Sequence, residues 1–119
     1  MRPESAKLLT DMPPAVDHIV DYTRGKCRAD FLNDKQLRDA VQWNFAVIGE
    51  ALAQLHKADA ATAERITEWN RIIAFRNQLI HGYGVIRSEI TWDIVEKKVP
   101  ILRSDLVGLL VPPAGRPMR

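Results

Sequence analysis

The chain holds a single cysteine, Cys27, so no internal disulfide can form, and a reducing cytoplasm is the expected compartment. Histidine is nearly as scarce. His18, His56 and His81 stand far apart without metal-ligand spacing, which argues against a structural metal site, and neither a metal nor another cofactor is expected. No apolar run approaches the length of a membrane-spanning helix or of a signal-peptide core. A glycine-rich phosphate loop, an internal repeat and the polar-apolar alternation of strands are all missing. A formal net charge of +2 is too small to mark a nucleic-acid binder by itself. With 46% hydrophobic and 27% charged residues over 119 positions, the composition is that of an ordinary globular protein of one domain, which buries roughly two thirds of its unfolded surface.

Apolar residues recur at helical intervals. Leu8, Leu9, Met12, Val16, Ile19 and Val20 predict a first helix that stops near Gly25. Pro13 and Pro14 fall inside it. Each removes an amide donor and crowds the preceding turn, so the helix is expected to kink there or to restart with Asp11 as its cap. Residues 25–32 read as a connector. Arg24, Lys26 and Arg28 form the densest basic cluster of the chain, either a solvated turn or a phosphate-tracking patch that matters only on the same side as Arg76. Asn33 with Gln36 resembles a capping box and opens a long helix that runs to about Lys57, with Leu37, Val41, Ile48, Leu52 and Leu55 on one stripe.

That long helix has a second, partly apolar side made by Trp43, Ala46, Val47, Glu50 and Ala53, as a central helix or an oligomer interface requires. Asn44 lies in the middle of its stripe, where a hydrogen-bonded core amide is the commoner reading; Glu50 stays open between a structural and a functional role. Residues 58–68 read as a spacer with a short helical turn. Ile72, Ile73, Phe75, Leu79 and Ile80 define the next helix, from Trp69 or Asn70 to a stop at Gly82. A final helix with Ser88 as its cap is expected to bend at Pro100, and Pro112 to Arg119, with three prolines and a glycine, read as a flexible tail. The fold class is therefore all-α, an antiparallel bundle of four or five helices over residues 1–111.

The most informative stretch is Arg76-Asn77-Gln78-Leu79-Ile80-His81-Gly82-Tyr83, which sets three side chains able to bind and cut a phosphodiester at one helix end. Four residues separate Arg76 from His81, which places them about 140° apart around a helix axis. One helix cannot easily bring them together, and a second copy of it is the simplest way to complete a site. Asn77 and His81, four apart, share a face.

This stretch, with Trp69-Asn70-Arg71-Ile72-Ile73 before it and Glu89-Ile90-Thr91-Trp92 after it, resembles the HepT-like ribonuclease toxins of the HEPN superfamily and their R-x4-H-x-Y signature. The resemblance reaches upstream to Asp21-Tyr22-Thr23-Arg24-Gly25 and to Asn44 with Ile48-Gly49-Glu50-Ala51, and covers roughly residues 5 to 111. It implies a metal-independent endoribonuclease acting on RNA as a homodimer whose two motifs line one cleft. There His81 would move protons, since imidazole is the side chain that changes charge near neutrality, and Arg76 would hold the scissile phosphate with a planar fork that lysine lacks. Asn77, Asn44 and Glu50 are the supporting candidates, with Asn77 orienting His81 or touching phosphate. The need for a 2′-hydroxyl as nucleophile would confine cutting to RNA. The resemblance also implies a toxin-antitoxin pair, in which a small MNT-type nucleotidyltransferase antitoxin adds AMP to Tyr83 and blocks the phosphate site. The rival expectation keeps the fold and drops the enzyme: a non-catalytic nucleotide-binding or scaffold subunit of a nucleotidyltransferase complex.

Overall fold

In the computed structural model the first helix, α1 (Pro3–Thr23), continues through both of its prolines. The structure describes residues 2–82 and 86–110, so Tyr83 and the tail 112–119 lie outside the described residues. No restart at Asp11 occurs. A proline inside a helix costs about 3 kcal/mol, yet Leu9 and Met12 before the pair and Val16 and Ile19 after it are all buried on one face. Packing on both sides holds the helix together across the two missing donors.

The expected connector contains a helical turn, α2 (Arg28–Leu32), whose Phe31 is buried against Trp92 with ring centroids 5.3 Å apart. Asn33 ends this turn, and the cap of the long helix α3 (Lys35–Ala58) is Asp34, one residue later than the capping box suggests: its carboxylate accepts the Leu37 N–H at 3.1 Å. Next comes α4 (Ala60–Ala63), capped by Asp59, whose carboxylate accepts from Thr62 and from the fully buried Ser5 hydroxyl at 2.9 Å. These two hydrogen bonds hold the Asp59 carboxyl below its ordinary pKa, the Thr62 bond contributing most. The segment expected to be a mere spacer thus delivers Ala63 and Ile66 to the core.

The remaining elements are α5 (Trp69–His81), α6 (Ser88–Lys97) and α7 (Val99–Leu110). Ser88 is the first residue of α6, and Arg87 occupies the cap position without a side-chain bond. Pro100 does more than bend the last helix: the chain breaks into α6 and α7 at Lys98, because proline has no N–H to carry the ladder through. Seven helices and no strand therefore make up the described residues, an all-α fold in which two short turns and one split helix raise the count above four or five.

The α3 helix is the axle of the molecule. On one flank α1 runs antiparallel to it, with Ser5 near Asp59 and His18 near Asn44. On the other flank α5 is also antiparallel: Trp69 stacks on His56 at 4.3 Å, and Arg76 reaches Glu50. The start of α5 is tied to the last two helices by the Thr67 N–H on the Asp105 carboxylate at 2.8 Å and by Glu68 on Lys98 at 2.7 Å. Glu68 adopts a left-handed backbone, φ 55°, which those contacts hold in place. Unlike α1 and α3, α5 has no fully buried residue; its Ile72, Ile73, Phe75 and Leu79 are half-covered. No helix of the described residues is long and apolar enough to cross a membrane.

Candidate functional site

Arg76 is planted against α3 by a glycine. A Cβ added at Gly49 would come within 2.7 Å of Arg76 Cγ, and nearer still to Arg76 Cβ, so only glycine lets the two backbones approach this closely. The close approach brings the neighbouring Glu50 within reach. Arg76 Nη2 pairs with Glu50 Oε1 at 2.8 Å, and Nη1 donates to Asn77 Oδ1 at 2.8 Å. Glu50 is itself held on its other oxygen, where Gln54 Nε2 donates to Oε2 at 2.8 Å. The Arg76 side chain is 15% exposed and that of Glu50 50%, so the pair sits at the rim of the bundle, half out of water. Arg76 Nε is buried and makes no hydrogen bond.

His81 is the last residue of α5 and is exposed. Gly82 closes the helix in a left-handed conformation, φ 64°, donating its N–H to the Gln78 carbonyl. The sequence spacing set Arg76 and His81 about 140° apart, and the structure turns one toward α3 and the other toward solvent. Asn77 is brought to Arg76. Asn44 is not: it is 5% exposed on the α1 side of α3, where its amide donates to the Ala40 carbonyl and its oxygen lies 3.3 Å from His18 Nδ1. Tyr83 lies outside the described residues.

A groove of about 640 Å³ runs beside the Arg76–Glu50 pair, lined by Glu50, Gln54, Val47, Ala46, Trp43 and Ile80 together with the early turns of α1. Trp43 is 70% exposed and Ile80 52% exposed, large apolar surface left open next to the ionic pair. The basic cluster lies elsewhere. Arg24 and Lys26 line a separate groove of about 670 Å³ between α1, α6 and α7, which shares no residue with the first. Within the cluster Arg24 pairs with Asp21 and Arg28 with Asp93, and Arg103, which lines the same groove as Arg24, pairs with Asp17. The solvated-turn reading of this cluster is the one the geometry favours.

Comparison with known proteins decides the family. The family model described as "Ribonuclease HepT-like" matches residues 12–107. The chain belongs to the HepT-like ribonuclease family. It is similar to "Putative RNase MJ0127" of Methanocaldococcus jannaschii, 37% identical over 92 residues that span 77% of this chain and 75% of the relative. It is also similar to "Probable ribonuclease HepT" of Thermococcus cleftensis, 30% identical over 95 residues, 80% and 86% of the two chains. No solved structure matches. The span matched by the HepT-like model takes in Gly49, Glu50, Gln54, Arg76, Asn77 and His81.

Two residues of this candidate site escaped the reading of spacing alone. Gln54 carried no signal, being one more polar residue on a helix. Gly49 did: a glycine in a helix interior costs up to about 1 kcal/mol against alanine, so its presence in α3 marks a close approach.

Proposed function

We propose that the chain is a metal-independent endoribonuclease that acts as a homodimer, serves as the toxin of a type II toxin-antitoxin pair, and is silenced when an MNT-type nucleotidyltransferase adds AMP to Tyr83. The observation that carries this reading is the placement of Arg76, its stem pressed onto Gly49 and its guanidinium paired with Glu50, which lines an open groove, five residues before the exposed His81 on the same helix.

The chemistry follows from those two side chains. An imidazole takes the proton from a ribose 2′-hydroxyl, whose oxygen attacks the adjacent phosphorus; the bond to the 5′-oxygen breaks, and that oxygen receives a proton from a second imidazole. The products are a 2′,3′-cyclic phosphate and a 5′-hydroxyl. Positioned proton transfer is worth on the order of 10²- to 10⁴-fold. The Arg76 fork stabilises the charge that builds on the phosphate oxygens. Two imidazoles and two forks are available when two copies of α5 face each other, and the homodimer reading rests on three features: the splay of Arg76 from His81, the lack of any fully buried residue on α5, and the exposed Trp43 and Ile80 beside the ionic pair. An adenylyl group on Tyr83, two residues past His81, would place an anion within the reach of these cations and keep RNA out.

The test uses one oligonucleotide sequence in RNA and in all-2′-deoxy form, incubated with the purified chain in EDTA. Cutting of RNA alone, lost in His81→Ala, is the expected result. Intact RNA with wild type, or equal cutting by His81→Ala, sinks the ribonuclease and leaves the non-catalytic subunit. For silencing, co-expression with an MNT-type enzyme should add adenylyl mass to wild type and none to Tyr83→Phe; a gain that persists in Tyr83→Phe puts the modification elsewhere.

A further inference from the structure

We infer that Glu50, braced by Gln54, is the positioning residue that aims the Arg76 fork; the inference rests on the ribonuclease reading of Arg76. Three contacts form one polar chain: Gln54 Nε2 to Glu50 Oε2, Arg76 Nη2 to Glu50 Oε1, and Arg76 Nη1 to Asn77 Oδ1, each 2.8 Å. A guanidinium has five N–H donors in a rigid plane. Here the buried Nε has no partner, so the direction of that plane is set by the two outer nitrogens. Asn77 is the next residue on α5 and moves with Arg76, so it cannot fix the fork relative to the groove on α3. Glu50 can. It belongs to the other helix, carries the opposite charge, and has both oxygens occupied, which removes the freedom a half-exposed glutamate otherwise keeps. Gly49, the residue beside it, sets the helix separation that makes the 2.8 Å contact possible.

This arrangement has a cost that distinguishes it from simple structural support. The carboxylate neutralises Arg76 and so weakens the pull of the site on RNA phosphate while improving the aim of the fork. Glu50→Gln keeps an oxygen that accepts from Nη2 but removes the negative charge. It should lower kcat about tenfold or less and lower KM about threefold, with a steeper salt dependence of RNA binding by about 0.7 in log–log slope, the share of one added phosphate contact on a single strand. Glu50→Ala loses the acceptor as well and should lower kcat by roughly 10- to 100-fold, the scale expected for a group displaced by about 1 Å. Gln54→Leu, which frees Glu50 to swing, should show a smaller loss of kcat with KM unchanged.

The experiment measures kcat and KM on RNA together with the salt slope of binding to a non-cleavable 2′-O-methyl RNA, for wild type and each variant, in the wild-type and Arg76→Met backgrounds, with thermal melts of every protein. Opposite movement of kcat and affinity in Glu50→Gln, present with Arg76 and absent with Arg76→Met, is the expected result. Wild-type kcat in Glu50→Ala overturns the proposal, as does a loss of kcat that tracks lowered melting temperature with no change of salt slope. If Arg76→Met cuts RNA as well as wild type, it is the ribonuclease reading of Arg76 that fails, and the binding arm still judges Glu50: a salt slope that ignores Glu50→Gln overturns its coupling to Arg76.

Discussion

Replacing Gly49 by alanine sets two opposed effects against each other, and the geometry says which wins. Alanine is the better helix former by up to about 1 kcal/mol, so on an open stretch of α3 the change would stabilise. At this position the new Cβ would lie 2.7 Å from Arg76 Cγ, nearer to Arg76 Cβ, and 3.4 Å from the Ile72 carbonyl oxygen. Carbon atoms rest about 3.5–4.0 Å apart, so the overlap is on the order of 1 Å. Arg76 Cβ is fixed to its backbone and cannot rotate away. The α5 helix must therefore shift off α3, at an overpacking cost of about 1–3 kcal/mol. Because the clash is with a Cβ fixed to its backbone, the cost falls at the upper end, about 2–3 kcal/mol. Less the propensity gain, this leaves a net destabilisation of about 1–2 kcal/mol, equivalent to a fall in melting temperature of roughly 4–10 °C for a chain of this size. Urea unfolding followed by circular dichroism measures it. Because the same shift drags the guanidinium from Glu50, RNA cutting should fall by more than the loss of folded protein explains, on the order of tenfold or more. A Gly49→Ala protein with an unchanged or higher urea midpoint would refute the reasoning, since α5 would then have room that the backbone contact denies.

Other outcomes follow from the same structure. The carboxyls of Asp59, Glu68 and Glu89 are held below their ordinary pKa values, chiefly by the Thr62 hydroxyl, the Lys98 ammonium and the Glu89 backbone N–H respectively. Because the folded values are depressed, their stabilisation is present above the unfolded values of about 3.9 to 4.3 and is lost as pH falls through the lower folded ones. The urea midpoint should therefore drop as pH is lowered from 5 toward 3, and a flat or rising midpoint contradicts the pairing. Pro14 is exposed inside α1, so Pro14→Ala restores a backbone donor without opening the core and should stabilise the fold by about 1–3 kcal/mol; a lower midpoint would show that the proline is needed there. Ile80→Asp puts a charge on the exposed apolar patch and should turn a dimer into a monomer by light scattering. A monomeric wild type, or a variant that stays dimeric, removes the shared cleft.

The parts of the fold that could be read from sequence are those governed by local periodicity and end signals. Both limits of α5 were legible, because apolar spacing starts it near Trp69 and Gly82 stops it in the left-handed conformation. Caps were less so. Asp34 and Asn33 are both good N-cap residues, and which one starts α3 depends on where α2 ends, a matter of Phe31 reaching Trp92 across the bundle. Local rules also overstate Pro13 and Pro14, since the cost of two missing donors is outweighed by contacts that no window of sequence contains. The same limit applies to the site. Arg76, Asn77 and His81 lie within six residues, and the resemblance of the whole string around them, more than their spacing, makes them candidates. Glu50 lies 26 positions before Arg76, so its ion pair exists only once α5 lies antiparallel on α3. Only the interior glycine hinted at where that contact would fall.

The central claim is that Arg76 and His81 cut RNA without a metal, and single-turnover cutting of an RNA oligonucleotide in excess EDTA by wild type, Arg76→Ala and His81→Ala tests it most directly. The account predicts cutting by wild type and a loss of at least 10²-fold in each folded variant, in line with the usual worth of proton transfer and of charge stabilisation. Variants that keep their melting temperature and cut as fast as wild type would contradict it.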